Sequence, residues 1–282
     1  MDRKNVIYIA GYGRSGSTLL EMIIGSNNKI YPLGELTNFD TIKHKDKAKC
    51  SCGKYLKECE FWRNIIKEYD LNNKIAINGQ KKLWALIFKN TPENIHYVID
   101  SSKTARKNHF RPIRLAKLLG KNIYMIHIVR DGRGCIQSLI RGSNQKMENG
   151  EEPKIYFPVL RGTLGWMISN FSAHIFQILH KDKYLRIRYE DFTGDFENVM
   201  KKIGVFLDIC FQEEIKRIKE ANELPTIHQI SGNRLRSQRT ISLRTDDGWK
   251  NSFSSMNNII FLIFNYFFVK LYEYDIKFNK IP

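Results

Sequence analysis

Residues 6–25, VIYIAGYGRSGSTLLEMIIG, decide the fold of this chain. Val6 to Ala10 is a short apolar run rich in β-branched and aromatic residues, which predicts a buried strand. Gly11, Gly13 and Gly16 follow at once and permit a tight turn with positive φ angles. Ser17 and Thr18 are good helix-capping residues, and Leu19, Leu20, Ile23 and Ile24 recur with helical spacing. Strand, glycine loop and helix in that order aim several backbone N–H groups at one point, which makes a cradle for phosphate or sulfate.

Working outward, residues 96–100 (HYVID) predict a second strand, ending in the polar cluster Asp100, Ser101, Ser102, Lys103. Residues 122–129 (NIYMIHIV) are the clearest third strand. It ends at Arg130, and Gly132 and Gly134 open a helix that runs to Ile140. Residues 184–188 (YLRIR) give a fourth strand. Helices are expected near residues 58–69, 80–89, 109–119, 159–180, 196–207 and 257–271. Residues 143–158 read as a surface loop and 225–244 as an irregular basic stretch. KIYPLGEL, with Pro32 in it, offers no convincing strand. Strands alternating with helices imply an α/β fold with a mostly parallel sheet covered on both faces. With no repeat and no flexible linker, residues 1–282 read as a single domain.

The chain has 282 residues and a net charge of +17, with Lys and Arg spread along its length. Such a charge favours anionic partners, among them nucleotides, nucleic acid, acidic glycans and anionic membranes. No signal peptide is visible. The apolar segment 259–269 is about half the length of a membrane span and reads as a core helix. No transmembrane segment is expected, while peripheral membrane contact stays open. Five cysteines without a secretory signal point to a reducing, cytoplasmic setting. Cys50, Cys52 and Cys59 admit a metal, a redox pair or plain buried thiols. A structural zinc wants four ligands, and His44 as the fourth fits no standard spacing.

GYGRSGST fits two patterns. Gly11-x-Gly13-x-x-Gly16 matches a dinucleotide fingerprint, and Gly11-x4-Gly16-Ser17-Thr18 matches a P-loop whose lysine has become Ser17. A dinucleotide site also needs a strand ending in an acid about twenty residues on. Glu35 lies at that distance without the strand. An NTPase needs the missing lysine for its phosphates, and Arg14 is the available cation instead. A second anion site follows from HIVRDGRGCIQS, where Arg130 stands at a strand end beside a helix N-terminus, with Ser138 two turns later. Two such sites suit a nucleotide carrying phosphates at separated positions.

These residues resemble the 3′-phosphoadenosine-5′-phosphosulfate (PAPS)-dependent sulfotransferases, particularly the branch with the tyrosylprotein enzymes and many bacterial members. GRSGSTLL resembles the family's 5′-phosphosulfate loop. VIDSSK and IHIVRDGRGCIQS resemble its 3′-phosphate region. LRIRYEDF and DDGWKNSF resemble its later strand and its lysine-bearing closing segment. The resemblance implies a P-loop-NTPase-like three-layer α/β/α fold and in-line transfer of a sulfuryl group from PAPS to a hydroxyl or amine, leaving adenosine 3′,5′-bisphosphate (PAP).

By the same resemblance, Gly13, Arg14, Ser15, Gly16, Ser17 and Thr18 form the cradle, with Arg14 where many cytosolic members have lysine. Lys103 neutralises the departing phosphate. Glu35, 21 residues beyond Arg14, is the base. The histidine base of other members has no good match, since His109 lies six residues past Lys103. Arg130 and Ser138 hold the 3′-phosphate, helped by one of Arg234, Arg236, Arg244 or Lys250, and Trp249 lies against adenine. Tyr189, Glu190 and Asp191 are structural. No metal is demanded, because cationic side chains can do the neutralising. Residues 36–95 and 143–170 would shape the acceptor site, whose small-molecule, glycan, lipid or peptide ligand is not readable. A P-loop kinase would need a magnesium ligand, for which Asp100 is the candidate. A nucleic-acid-binding module would explain the charge but lacks a recognisable motif.

Overall fold

Alternation along the first strand builds a core on both sides of a sheet. Val6, Tyr8 and Ala10 enter one buried cluster, while Ile7 and Ile9 enter another, as the two-residue period of a pleated strand requires. In the computed structural model, residues 4–71, 79–142 and 157–277 are described. The expected loop at 143–158 falls almost wholly outside them.

Five strands form one sheet: β1 (Asn5–Ala10), β2 (Ile30–Pro32), β3 (Tyr97–Asp100), β4 (Ile123–Val129) and β5 (Tyr184–Arg188). Their order is β2-β3-β1-β4-β5. Every pairing is parallel, with Ile7 opposite Ile99 on one side and Tyr124 on the other. One face is covered by α2 (Trp62–Leu71), α3 (Gly79–Asn90), α4 (Arg111–Leu119) and part of α6 (Pro158–Leu179), through Trp62, Leu83, Leu115 and Phe176. The other is covered by α1 (Ser17–Ile24), α7 (Phe196–Leu207) and α8 (Gln212–Lys219), through Leu20, Ile203 and Ile215. This is the three-layer α/β/α arrangement expected. A third cluster of Val129, Ile136, Trp166, Phe261 and Phe268 joins α5 (Gly132–Ile140), α6 and α9 (Ser255–Leu271) beyond the end of β4.

Two expectations are corrected. KIYPLGEL does contain a strand, β2, paired with β3 through Ile30, Tyr31 and Pro32. A proline fits there because β2 is an edge strand and one of its sides makes no ladder bonds. The segment 259–269, expected to be a core helix, is one on a single face only. Phe261, Asn265, Phe268 and Val269 are buried, whereas Ile259, Ile263, Phe264 and Phe267 face outward. No described helix is long and apolar enough to cross a membrane.

The topology places the site. β1 lies between β3 and β4, so the crossovers leaving its neighbourhood run to opposite sides and open a crevice at its carboxyl end. The loops after β1, β3 and β4 meet there.

Candidate active site

The glycine loop after β1 is a chain of unusual dihedrals. Arg14 has φ 71° and Gly16 has φ 93°, an alternation that turns successive N–H groups toward one concavity. Gly16 has no alternative: a Cβ there would lie 2.6 Å from the Tyr189 ring. Ser15 is buried, with its hydroxyl beneath Gly11, so it offers the concavity its backbone. α1 begins at Ser17, whose hydroxyl accepts a hydrogen bond from Lys103 Nζ at 2.6 Å.

Lys103 also pairs with Glu35 Oε1 at 3.1 Å. The chain on either side of this lysine is tightly held. Ser101 N–H donates to the Gly34 carbonyl and Thr104 N–H to that of Gly11, each at 3.1 Å. The buried Tyr8 hydroxyl donates to the Ser102 carbonyl at 2.7 Å. Glu35 is held as firmly. Its own N–H donates to the Ser231 carbonyl at 3.0 Å, and Asn38 Nδ2 donates to Glu35 Oε2 at 3.2 Å. Gly34 has φ +78°, and a Cβ on it would strike the Ser231 carbonyl at 2.3 Å, so only glycine brings residues 34–35 this close to the 229–233 strap.

Beneath this pair sits Glu21, fully buried on α1. It accepts from Gly34 N–H at 2.7 Å and from Ser101 Oγ at 2.5 Å. Burial pushes its carboxyl up to about 8, against the two hydrogen bonds that favour the ionised form. Glu21 therefore ties together the segments that carry Glu35 and Lys103. An acid inside an apolar helix gives no sign of that role in sequence.

On the β4 side, Arg130 Nη1 donates to the Arg14 carbonyl at 3.0 Å, and its Nη2 reaches Asp246 Oδ2 at 2.8 Å. Its guanidinium lies 4.6 Å from the centre of the Tyr189 ring. Tyr189 thus supports both Gly16 and Arg130, which makes it a wall of the site. Arg14 Nη2 donates to the Gly142 carbonyl at 2.9 Å. Burial and the neighbouring Arg130 charge pull the Arg14 pKa below its ordinary value. Two adjacent guanidiniums repel each other, and an anion between them relieves the repulsion.

The predicted residues therefore fall into two groups around one loop. Ser17, Glu35 and Lys103 meet on the β3 side, and Arg14 meets Arg130 on the β4 side. Lys103, and not Arg14, makes the contact with Glu35. Ser138 lies half-buried on α5, and the next residue, Leu139, faces Gly13. The remaining candidates lie farther along the chain. Arg236 donates to the Gln229 and Lys49 carbonyls at 2.8 and 2.9 Å, so it braces the strap. Arg234 and Arg244 are exposed. Lys250 lies 3.5 Å from Asp247. Trp249 is 3 % exposed, packed against Gly134 with the Arg133 guanidinium 5.3 Å from its ring centre, so its indole is part of the core here.

Asp100 does not suit a magnesium site. Its side chain is fully buried, Arg111 Nη2 donates to Oδ2 at 2.5 Å, and Ser102 donates to Oδ1 from both N–H and Oγ. A carboxylate committed in this way is a structural anchor.

Known proteins share this fold. A profile described as "Sulfotransferase family" matches residues 6–213. The fold resembles the sulfotransferase domain from the Synechococcus PCC 7002 olefin synthase, with 20% identity, a TM-score of 0.58, and 100% of this chain and 98% of that one covered. The sulfotransferase domain from the curacin biosynthetic pathway gives 18%, 0.58, 96% and 98% in the same terms. Mouse sulfotransferase SULT7A1 complexed with PAP gives 14%, 0.54, 96% and 84%. No curated protein matches the chain.

Proposed function

The chain belongs to the sulfotransferase family, and from that premise we propose that it transfers a sulfuryl group from PAPS to a hydroxyl or amine acceptor by in-line displacement. The observation that carries this reading is the pairing of Lys103 with both Ser17 and Glu35 at the mouth of the glycine loop. One cation there touches the phosphate cradle and a carboxylate at once. The neighbour solved with PAP supports the choice of donor.

The residues fit a phosphosulfate. The positive φ angles of Arg14 and Gly16 turn the loop N–H groups inward, and Arg14 and Arg130 gather positive charge beside the loop. The donor supplies an activated S–O bond. Glu35 accepts the proton of the acceptor hydroxyl while the acceptor oxygen bonds to sulfur. The bridging S–O bond breaks with its electron pair on the phosphate, and Lys103 neutralises that charge. Such catalysis rests on positioning and electrostatic stabilisation, which explains why the backbone on either side of Lys103 and Glu35 is so thoroughly hydrogen-bonded. Arg130, with Ser138, would bind the 3′-phosphate, with Asp246 giving way to it. Residues 36–95 and 143–170 would shape acceptor choice within one domain.

Calorimetric titration tests the reading. PAP without metal should bind, and ATP with magnesium should bind more weakly. Preference for magnesium ATP would overturn it.

A further inference from the structure

Cys50, Cys52, Cys59 and His228 come together at the base of the 229–233 strap, with one ligand atom from each lying within 4.8 Å of all the others. We propose that these four residues bind one structural zinc ion. The site needs no donor nucleotide and does not rest on the proposed reaction.

The distances are those of a tetrahedron. Zinc takes Zn–S bonds of about 2.3 Å and Zn–N bonds of about 2.0–2.1 Å, so tetrahedral coordination separates sulfur from sulfur by about 3.8 Å and sulfur from nitrogen by about 3.5 Å. Here Cys52 Sγ and Cys59 Sγ are 3.9 Å apart. His228 Nδ1 lies 3.8 Å from Cys50 Sγ and 3.2 Å from Cys59 Sγ. A disulfide would need sulfurs about 2.05 Å apart, and all five cysteines are free thiols. Three soft sulfurs and an imidazole this close together are a zinc set.

The backbone is shaped for the same purpose. Residues 50–54 form a tight turn in which Gly53 N–H donates to the Cys50 carbonyl and Cys50 N–H to that of Lys54, each at 3.0 Å. Gly53 has φ +91° with open space around it, so its role is conformational: it folds Cys50 and Cys52 back onto one centre. Cys50 and Cys59 are 2 % and 0 % exposed. His228 is fixed from behind by the Trp62 indole, which donates to its carbonyl at 2.6 Å. Its ring lies parallel to that of Tyr31, at a 6.3 Å centroid distance. Three thiolates around a dication leave one negative charge. Arg236 is bonded to the carbonyls of Lys49 and Gln229, which neighbour Cys50 and His228 in sequence, and brings a positive charge close enough to balance it. The sequence reading assigned no metal and weighed only His44 as fourth ligand. His44 instead lies exposed, 3.6 Å from Asp70, and the fourth ligand is 169 residues beyond Cys59.

The test begins with metal analysis of untagged, reduced full-length protein. The expected result is one zinc per chain. Cobalt(II) added to chelator-stripped protein should give the absorption bands of a tetrahedral thiolate site. Cys52→Ser and His228→Ala should each weaken zinc, in competition with a chromophoric chelator, by about tenfold or more, while His44→Ala leaves it unchanged. A wild-type chain that holds no zinc and gives no tetrahedral cobalt spectrum overturns the proposal, as does a Cys52–Cys59 disulfide in unreduced protein. Because the first readout is on the wild type, a misfolded variant does not blunt the test.

Discussion

Replacing Glu21 by glutamine should make the protein less sensitive to alkali. The carboxyl is fully buried and its midpoint is raised from 4.5 to about 8. Below pH 4.5 it is protonated both folded and unfolded and adds no penalty. Between 4.5 and 8 the unfolded chain ionises and the folded one resists, so stability falls as pH rises and levels off above 8. At about 1.4 kcal/mol per tenfold change in proton affinity, the full loss has a ceiling of roughly 5 kcal/mol, comparable with the whole stability of many domains. Glutamine keeps an acceptor for Gly34 N–H, and Ser101 Oγ can turn to accept from its amide. The variant therefore retains the bridge without the titration. Urea unfolding of both proteins from about pH 5 to about pH 9 provides the assay. The difference, variant minus wild type, should climb by up to about 1.4 kcal/mol per pH unit and then flatten. Buried His127, held down to about 3, contributes stability that is lost as pH falls through 6.5, but it is common to both proteins and cancels in the difference. Parallel curves would refute the argument and show that Glu21 stays ionised in the fold.

Arg130→Ala removes a charge-assisted contact worth about 1.5–3 kcal/mol, so PAP affinity measured by calorimetry should drop about 10–100-fold; unchanged affinity removes Arg130 from the site. Glu35→Gln should lower turnover by about a hundredfold or more, as loss of a general base does, with PAP affinity nearly intact, and an active variant would leave the reaction without this base. Gly16→Ala forces a side chain onto φ +93° and into the Tyr189 ring. The backbone strain alone costs about 1–2 kcal/mol, and the urea midpoint should fall accordingly; a change near zero would mean that the loop has another conformation.

Local pattern made the central unit readable. β1, the glycine loop and α1 are contiguous, so strand period, turn chemistry and helix period could be read together over twenty residues. That Lys103 and Arg130 lie at the crevice was legible because each follows an apolar strand. The rest depends on distant partners. β2 has three residues and a proline, below what periodicity can resolve. Glu21 acts on Gly34 and Ser101, and no spacing in α1 announces either. That Tyr189 backs both Gly16 and Arg130 depends on the sheet, which sets the end of β5 next to that of β4. The sequence does not show that carbonyl groups hold Arg236 or that Trp249 is packed into the core. His228 could not be matched with Cys50, Cys52 and Cys59, since metal patterns are recognised by short intervals and this one spans two loops from opposite ends of the chain.

The three-residue β2 also governs how the sheet ends. Of the donors on its outer side, Ile30 N–H is occupied by the Asn27 carbonyl at 3.1 Å, and Pro32 has none. Leu33 N–H turns inward to Ile99. The strand at the other border, β5, carries Arg186 and Arg188, so a second copy approaching it meets like charge. One border thus offers few free N–H donors and the other carries positive charge, both of which disfavour the addition of a further strand to this five-stranded parallel sheet.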